Sequence, residues 1–152
     1  MPKALPQNIS ALVGEIGEST VLLRLAILAH RHKGWRVFRN VGDSGYDILL
    51  SNPKYHKAIR IEVKTRQRLE SRTKRPNTAQ FDLTRGERNA CHFVVAYWLE
   101  RGEFFIVPKK KLKPISGGRR YRFRVTLKKD GTPGEGSVPF LDNWGQLDKD
   151  FA

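Results

Sequence analysis

The sequence predicts an α/β fold in the order helix, three strands, helix, strand pair, and three stretches carry that reading. From about Ile9 to His32, apolar residues at Leu12, Ile16, Leu22, Leu23, Leu25, Ala26 and Ala29 recur at roughly helical spacing. Tyr46 to Leu50 and Ala58 to Thr65 are runs rich in branched apolar residues on either side of a Ser-Asn-Pro segment, the pattern of a β-hairpin with a longish loop. His92 to Leu99, HFVVAYWL, is an almost continuous apolar run, as expected of a strand covered on both faces.

Taken in order, residues 1–8 form a loose leader containing Pro2 and Pro6. Asn8 or Ser10 can cap the long helix, and Gly34 ends it after cations in the last turn. Within the helix, Glu15 and Glu18 stand three apart; Glu18 shares a face with Leu22 and Leu25, an awkward place for a carboxylate without a task, which makes it a candidate for organising a metal ion or a water, with Glu15 the second candidate. Trp35 to Asn40, WRVFRN, alternates as a first strand, and Val41 to Gly45 supplies turn residues. After the hairpin, Arg66 to Gln80 sets Arg66, Arg68, Arg72, Lys74 and Arg75 against a single Glu70 without periodicity, which predicts a mobile basic loop. Thr84-x-x-Glu87 after Leu83 is a capping box, so a short helix starts near Arg85.

Arg101-Gly102 then turns the chain into a strand from Phe104 to Val107, which Pro108 stops. Lys109 to Arg124 carries eight basic residues and no acid, and its RYRFRV alternation places Arg120, Arg122 and Arg124 on one strand face, with Arg119 beside them. Gly131 to Gly136 reads as a flexible loop, and Phe140 to Leu147, around Trp144, as a terminal apolar clamp. The expectation is one domain over residues 1–152, with a core at 9–108 and a basic C-terminal extension at 109–152.

Lys and Arg total 29 against 15 Asp and Glu, a formal charge of +14. That excess points to a polyanionic partner, nucleic acid before an anionic membrane surface. No apolar run reaches the length of a span, and no signal-peptide pattern is visible, so the setting read from the sequence is cytoplasmic. The single cysteine, Cys91, excludes an internal disulfide and a thiolate zinc cluster, and its apolar neighbours place it in the core. His30, His32, His56 and His92 show no metal or nuclease motif spacing.

The hairpin carries the chemistry. If its turn is centred between Lys54 and Tyr55, Asp47 falls opposite Glu62, and Glu62 and Lys64, two apart, point away from Ile61 and Val63. Two carboxylates and an amine then converge on one side of a sheet whose other side is apolar. Such a trio suits metal-assisted phosphodiester hydrolysis: Mg²⁺ takes one or two carboxylates plus phosphate oxygens, polarises the phosphoryl group and lowers the pKa of a water. A lysine beside it offsets charge in the transition state. The ordinary alternative is an exposed strand face that happens to carry Glu-x-Lys.

With Glu18 in the first helix, Asp47 in the second strand and Glu62-x-Lys64 in the third, the chain resembles the PD-(D/E)xK nuclease superfamily over roughly Gly14 to Pro108. Tyr46-Asp47 stands where that family has Pro-Asp. The resemblance implies a restriction-endonuclease-like αβββαβ core, with a mixed central sheet flanked by helices. Within the superfamily the chain looks most like the archaeal-type Holliday junction resolvases, small basic dimeric enzymes. It departs from them in having Ser19 after the helix glutamate, where they often have Arg, and in a wider gap between Asp47 and Glu62. By resemblance, Glu18 is the helix acid, Asp47 and Glu62 are metal ligands, Lys64 is the catalytic lysine, and Arg39 and Ser44 match that family's arginine and serine. The implied activity is Mg²⁺-dependent cleavage of branched DNA by a homodimer, leaving 5′-phosphate and 3′-hydroxyl ends, with Mn²⁺ able to substitute. Restriction-like, homing or repair nucleases would keep the same site. A non-catalytic nucleic-acid-binding module would use the basic loop and tail without Mg²⁺.

Overall fold

The computed structural model describes residues 6–42, 45–67 and 77–151. Ser44, Arg68, Arg72, Lys74 and Arg75 lie outside the described residues. The elements are helix α1 (Gln7–His30), strands β1 (Arg36–Arg39), β2 (Ile48–Asn52), β3 (Lys57–Arg66) and β4 (Thr78–Thr84), helix α2 (Arg85–Ala90), strands β5 (Phe93–Trp98), β6 (Glu103–Pro108), β7 (Lys113–Ile115) and β8 (Arg120–Thr126), and a final turn of helix, α3 (Asp148–Phe151).

The central sheet has the order β1-β2-β3-β5-β6. Only the β3–β5 pair in it is parallel, so the sheet is mixed, as expected. Ile48 pairs with Ile61 and Asn52 with Lys57, a register whose centre lies between Lys54 and Tyr55, where the sequence places it. The loop is shorter than predicted, because a single 3₁₀ turn at Pro53–Tyr55 closes it, with His56 in the left-handed region. Alternation along β3 then divides the side chains. Ile61 and Val63 enter a core with Val21, Leu25, Ala29, Ile48 and Leu50, while Glu62 points to the other face.

Helix α1 covers the first face with only part of the predicted stripe, Leu25 and Ala29, with Leu22 packed beside them. Its buried residues are Val13, Gly17, Val21, Leu25 and Ala29, while Leu12, Ile16, Leu23 and Ile27 are exposed. Close approach explains the difference. A Cβ at position 17 would lie 1.7 Å from Thr65 Oγ1, so α1 rests on β3 through a residue without a side chain. The start of α1 also differs, since Pro6 is the N-cap residue and no side chain caps it; neither Asn8 nor Ser10 plays that part.

The second face is covered by α2 and by a three-stranded sheet of order β4-β8-β7. Strand β4 begins inside the segment read as a loop. Ala79, Phe81 and Leu83 alternate inward and meet Phe123 and Val125 of β8 in a second core with Val94, Ala96, Trp98 and Cys91. The basic segment after Pro108 thus supplies two strands of this sheet, and Arg120, Arg122 and Arg124 lie on its outer face, as the RYRFRV pattern predicts. The predicted flexible loop at Gly131 to Gly136 contains a hydrogen-bonded turn, in which Lys128 N–H donates to Thr132 O and Gly134 N–H to Thr126 O. The C-terminal clamp forms as expected: Phe140 packs edge-on against Phe123, Trp144 against Phe104, and Phe151 stacks on His32. Among the described residues, no helix is long and apolar enough to cross a membrane.

Candidate active site

The central feature is where the β2–β3 ladder runs out. Asp47, the residue before β2, still donates its N–H to Ile61 O at 2.9 Å. One step further along β3, Val63 N–H finds the Asp47 carboxylate instead of a backbone carbonyl, at 2.7 Å. That bond turns the Asp47 side chain onto β3 beside Glu62. The approach is fixed from behind by Asn40, whose backbone N–H donates to Asp47 O at 2.8 Å and whose side-chain amide donates to Tyr46 O at 2.8 Å. It is fixed from the side by Gly45, at φ 80°, where a Cβ would come within 2.9 Å of Ala90 in α2.

Glu62 is only 5% exposed. Lys64, two residues on, sets its ammonium 3.1 Å from Glu62 Oε1 and 2.7 Å from Glu87 Oε2. The structure therefore brings Asp47, Glu62 and Lys64 together and adds Glu87. From the sequence Glu87 is legible only as the last residue of a capping box. Thr84 does cap α2, accepting Glu87 N–H at 3.1 Å, but the Glu87 carboxylate reaches the lysine. Gly42, Gly45, Tyr46, Asp47, Glu62, Thr84, Gly86 and Glu87 line a cleft of about 570 Å³.

Electrostatics follow from that crowding. Burial and the neighbouring Asp47 push Glu62 up to about 8, against the pull of Lys64. Burial also raises Asp47, opposed by the Val63 N–H bond and reinforced by the charge of Glu18. Burial alone would make Lys64 easier to deprotonate, but Glu87 and Glu62 more than compensate and hold its proton. Three carboxylates thus face one ammonium within a strongly basic protein, and two of them are destabilised as anions. Paired oxygen donors short of positive charge suit a hard divalent cation, with Asp47 and Glu62 as the residues that would hold it. Among the described residues no closed cluster of three or more His, Cys, Asp or Glu ligands occurs, so a cation here would complete its shell with water and substrate oxygens.

The other expected residues sit around this centre. Glu18 lies on α1, across the sheet from Glu62, and its Oε2 pairs with Arg39 Nη2 at 3.0 Å; its charge is felt at Asp47, but it is not part of the cleft wall. Glu15 is exposed on the same helix. Arg122 is held by Asp82 through a two-pronged pair, Nε to Oδ1 at 2.7 Å and Nη2 to Oδ2 at 2.9 Å. Arg66 donates to Gln80 O at 2.8 Å, and the charges of Arg120 and Arg66 reach Asp82. Arg119 accepts the Arg85 N–H through its carbonyl. Arg66, Arg120, Arg122 and Arg124 form one basic face, and β4 leads from it into the cleft at Thr84, which pairs with Arg120.

No protein-family model matches the sequence, and no curated protein matches it significantly. Solved structures do. The chain superposes on a bacterial homing endonuclease, I-Ssp6803I, with a TM-score of 0.65 and 20% identity over 92% of each chain. It superposes on the Holliday junction resolvase Hjc of Archaeoglobus fulgidus with a TM-score of 0.57 and 17% identity, over 91% of this chain and 98% of that one. The fold is therefore restriction-endonuclease-like, a mixed central sheet flanked by helices, as the resemblance implies.

Proposed function

We propose that this chain, built on the fold of PD-(D/E)xK nucleases, is a Mg²⁺-dependent DNA endonuclease of the cytoplasm that resolves branched DNA. The observation carrying the reading is the meeting of Asp47 and Glu62 in one cleft, with the Lys64 ammonium 3.1 Å from Glu62, on the side of the sheet away from α1. Asp47 and Glu62 would hold the cation, and the chemistry it would supply there is polarisation of a phosphate and a more acidic water. Lys64 lies beside Glu62 and offsets the negative charge that builds on the phosphate. Glu18, kept in place by Arg39, adds negative potential from across the sheet. Arg66, Arg120 and Arg124, with Arg119 and the basic residues between 68 and 75, contact the phosphate backbone; Arg122, engaged by Asp82, stiffens that face.

A homodimer presenting two such sites would match the symmetry of a four-way junction. Helix α1 offers the surface. Ile9, Leu12, Ile16, Leu23 and Ile27 are 39–61% exposed. At about 100° per residue they fall within an arc of roughly 60°. Several are seven apart, the repeat of a helix–helix seam, so the occupant that fits is the same face of a second copy. Sedimentation is expected to give a dimer for the parent chain and a monomer for Leu23→Glu; an unchanged dimer would move the interface elsewhere.

The deciding assay offers four-way junction, fork, linear duplex and single strand with Mg²⁺ or EDTA. Paired nicks in the junction, ending in 5′-phosphate and 3′-hydroxyl and lost in EDTA, are expected. Affinity should fall by about 10³-fold between 50 and 200 mM salt if roughly six phosphates are contacted. A second reading is favoured by the 0.65 TM-score to the homing endonuclease, and it predicts cleavage of linear duplex at a preferred sequence instead. Tight binding with no cleavage of any substrate would leave only a nucleic-acid-binding module.

A further inference from the structure

We propose that Glu87 is a positioning residue: it holds the Lys64 ammonium so that the Glu62 carboxylate stays available to a divalent cation. This rests on the catalytic reading above, and extends it to a residue on a different element. The ammonium sits between two carboxylates, nearer Glu87 at 2.7 Å than Glu62 at 3.1 Å. If Glu87 were removed, Glu62 would be the remaining acid in contact with it, and a lysine clasped to Glu62 competes directly with a metal for the same oxygen lone pairs.

The geometry at Glu87 is built to bear on Lys64. Its N–H is taken by Thr84 Oγ1, and its carbonyl accepts the Cys91 N–H at 3.2 Å, so both ends of α2 are tied to this one residue. The close approach of Ala90 to Gly45 locks the same helix against the turn that presents Asp47. The Oε2 that meets the ammonium is shielded from water. Glu62, nearly fully buried, has little freedom to withdraw from Lys64, so the partition of the ammonium depends on Glu87.

The test reads metal binding without turnover. Mn²⁺ affinity is measured by electron paramagnetic resonance in the parent chain, Glu87→Gln, Lys64→Met and the double variant. Glu87→Gln is expected to weaken Mn²⁺ binding about tenfold, whereas in the Lys64→Met background the same change should alter it less than about twofold. Glu87→Asp, with a shorter reach and an intact cap, should fall between parent and Glu87→Gln. Equal losses in both backgrounds would make Glu87 a cation ligand, and no loss in either would make it only a support for α2; each overturns the proposal. If the parent binds Mn²⁺ with this pattern but cuts no DNA, the nuclease assignment fails while the pairing stands. If it cuts DNA and the pattern is missing, the reverse holds.

Discussion

Asp47→Asn and Lys64→Ala are each expected to lower single-turnover DNA cleavage by at least about 10³-fold while leaving binding within about threefold. Asparagine is the informative choice at position 47. Asp47 does two things: its carboxylate accepts the Val63 N–H at 2.7 Å, and it lies beside Glu62. The amide oxygen of asparagine can keep the first contact and cannot supply the charge a cation needs, so a large loss of cleavage with an unchanged melting temperature assigns the role to charge. Lys64→Ala leaves Glu62 and Glu87 facing each other without their shared cation, and its loss should persist at saturating Mg²⁺. Cleavage by Asp47→Asn at the parental rate would mean that the site lies elsewhere on the fold. Gel shifts in Ca²⁺ supply the binding readout.

The second large effect is on stability against pH. Glu62 titrates at about 8 in the folded chain against 4.5 for an ordinary glutamate, because it is buried next to Asp47. The folded state therefore holds a proton that the unfolded state has released between those two values. This contribution to stability is fully present below about pH 4.5 and is lost as pH rises toward 8, by on the order of 5 kcal/mol. Above that pH the slope vanishes. Glu62→Gln should melt higher than the parent at pH 8.5, about equally at pH 5, and be inactive. On the proposed reading Mg²⁺ would bind the ionised pair, so it should raise the parent's melting temperature more at pH 8.5 than at pH 6, and do little for Glu62→Gln. Thermal melts across pH with and without Mg²⁺ would show this, and coincident profiles for parent and Glu62→Gln would refute it.

What could be read from the letters was what depends on short-range rules. The centre of the hairpin gave the register that sets Asp47 against Glu62, and alternation alone assigned Glu62 to the face opposite Ile61 and Val63. Thr84 announced α2 through its own capping bond. Long-range packing hid the rest. Strand β4 alternates Ala79, Phe81, Leu83, but its partner lies some forty residues away, where Gln80 meets Arg124, and the charges before it read as solvated loop. In α1 the buried stripe runs through Val13, Gly17 and Val21, and Gly17 is too small to register as a hydrophobic marker, while Leu12 and Leu23 are apolar letters that face outward. Glu87 was invisible as a site residue because only the docking of α2 brings it to Lys64.

Strand β5 has no side turned to water. Val95 and Tyr97 belong to the core under α1, and Val94, Ala96 and Trp98 to the core under the smaller sheet. A single party wall thus divides two rooms, and neither can be emptied while the other stands. Damage far from the cleft, whether beneath the long helix or behind the arginine-bearing strands, is therefore expected to reach Glu62 and Lys64 through their direct neighbours on that wall, Val94 and Ala96.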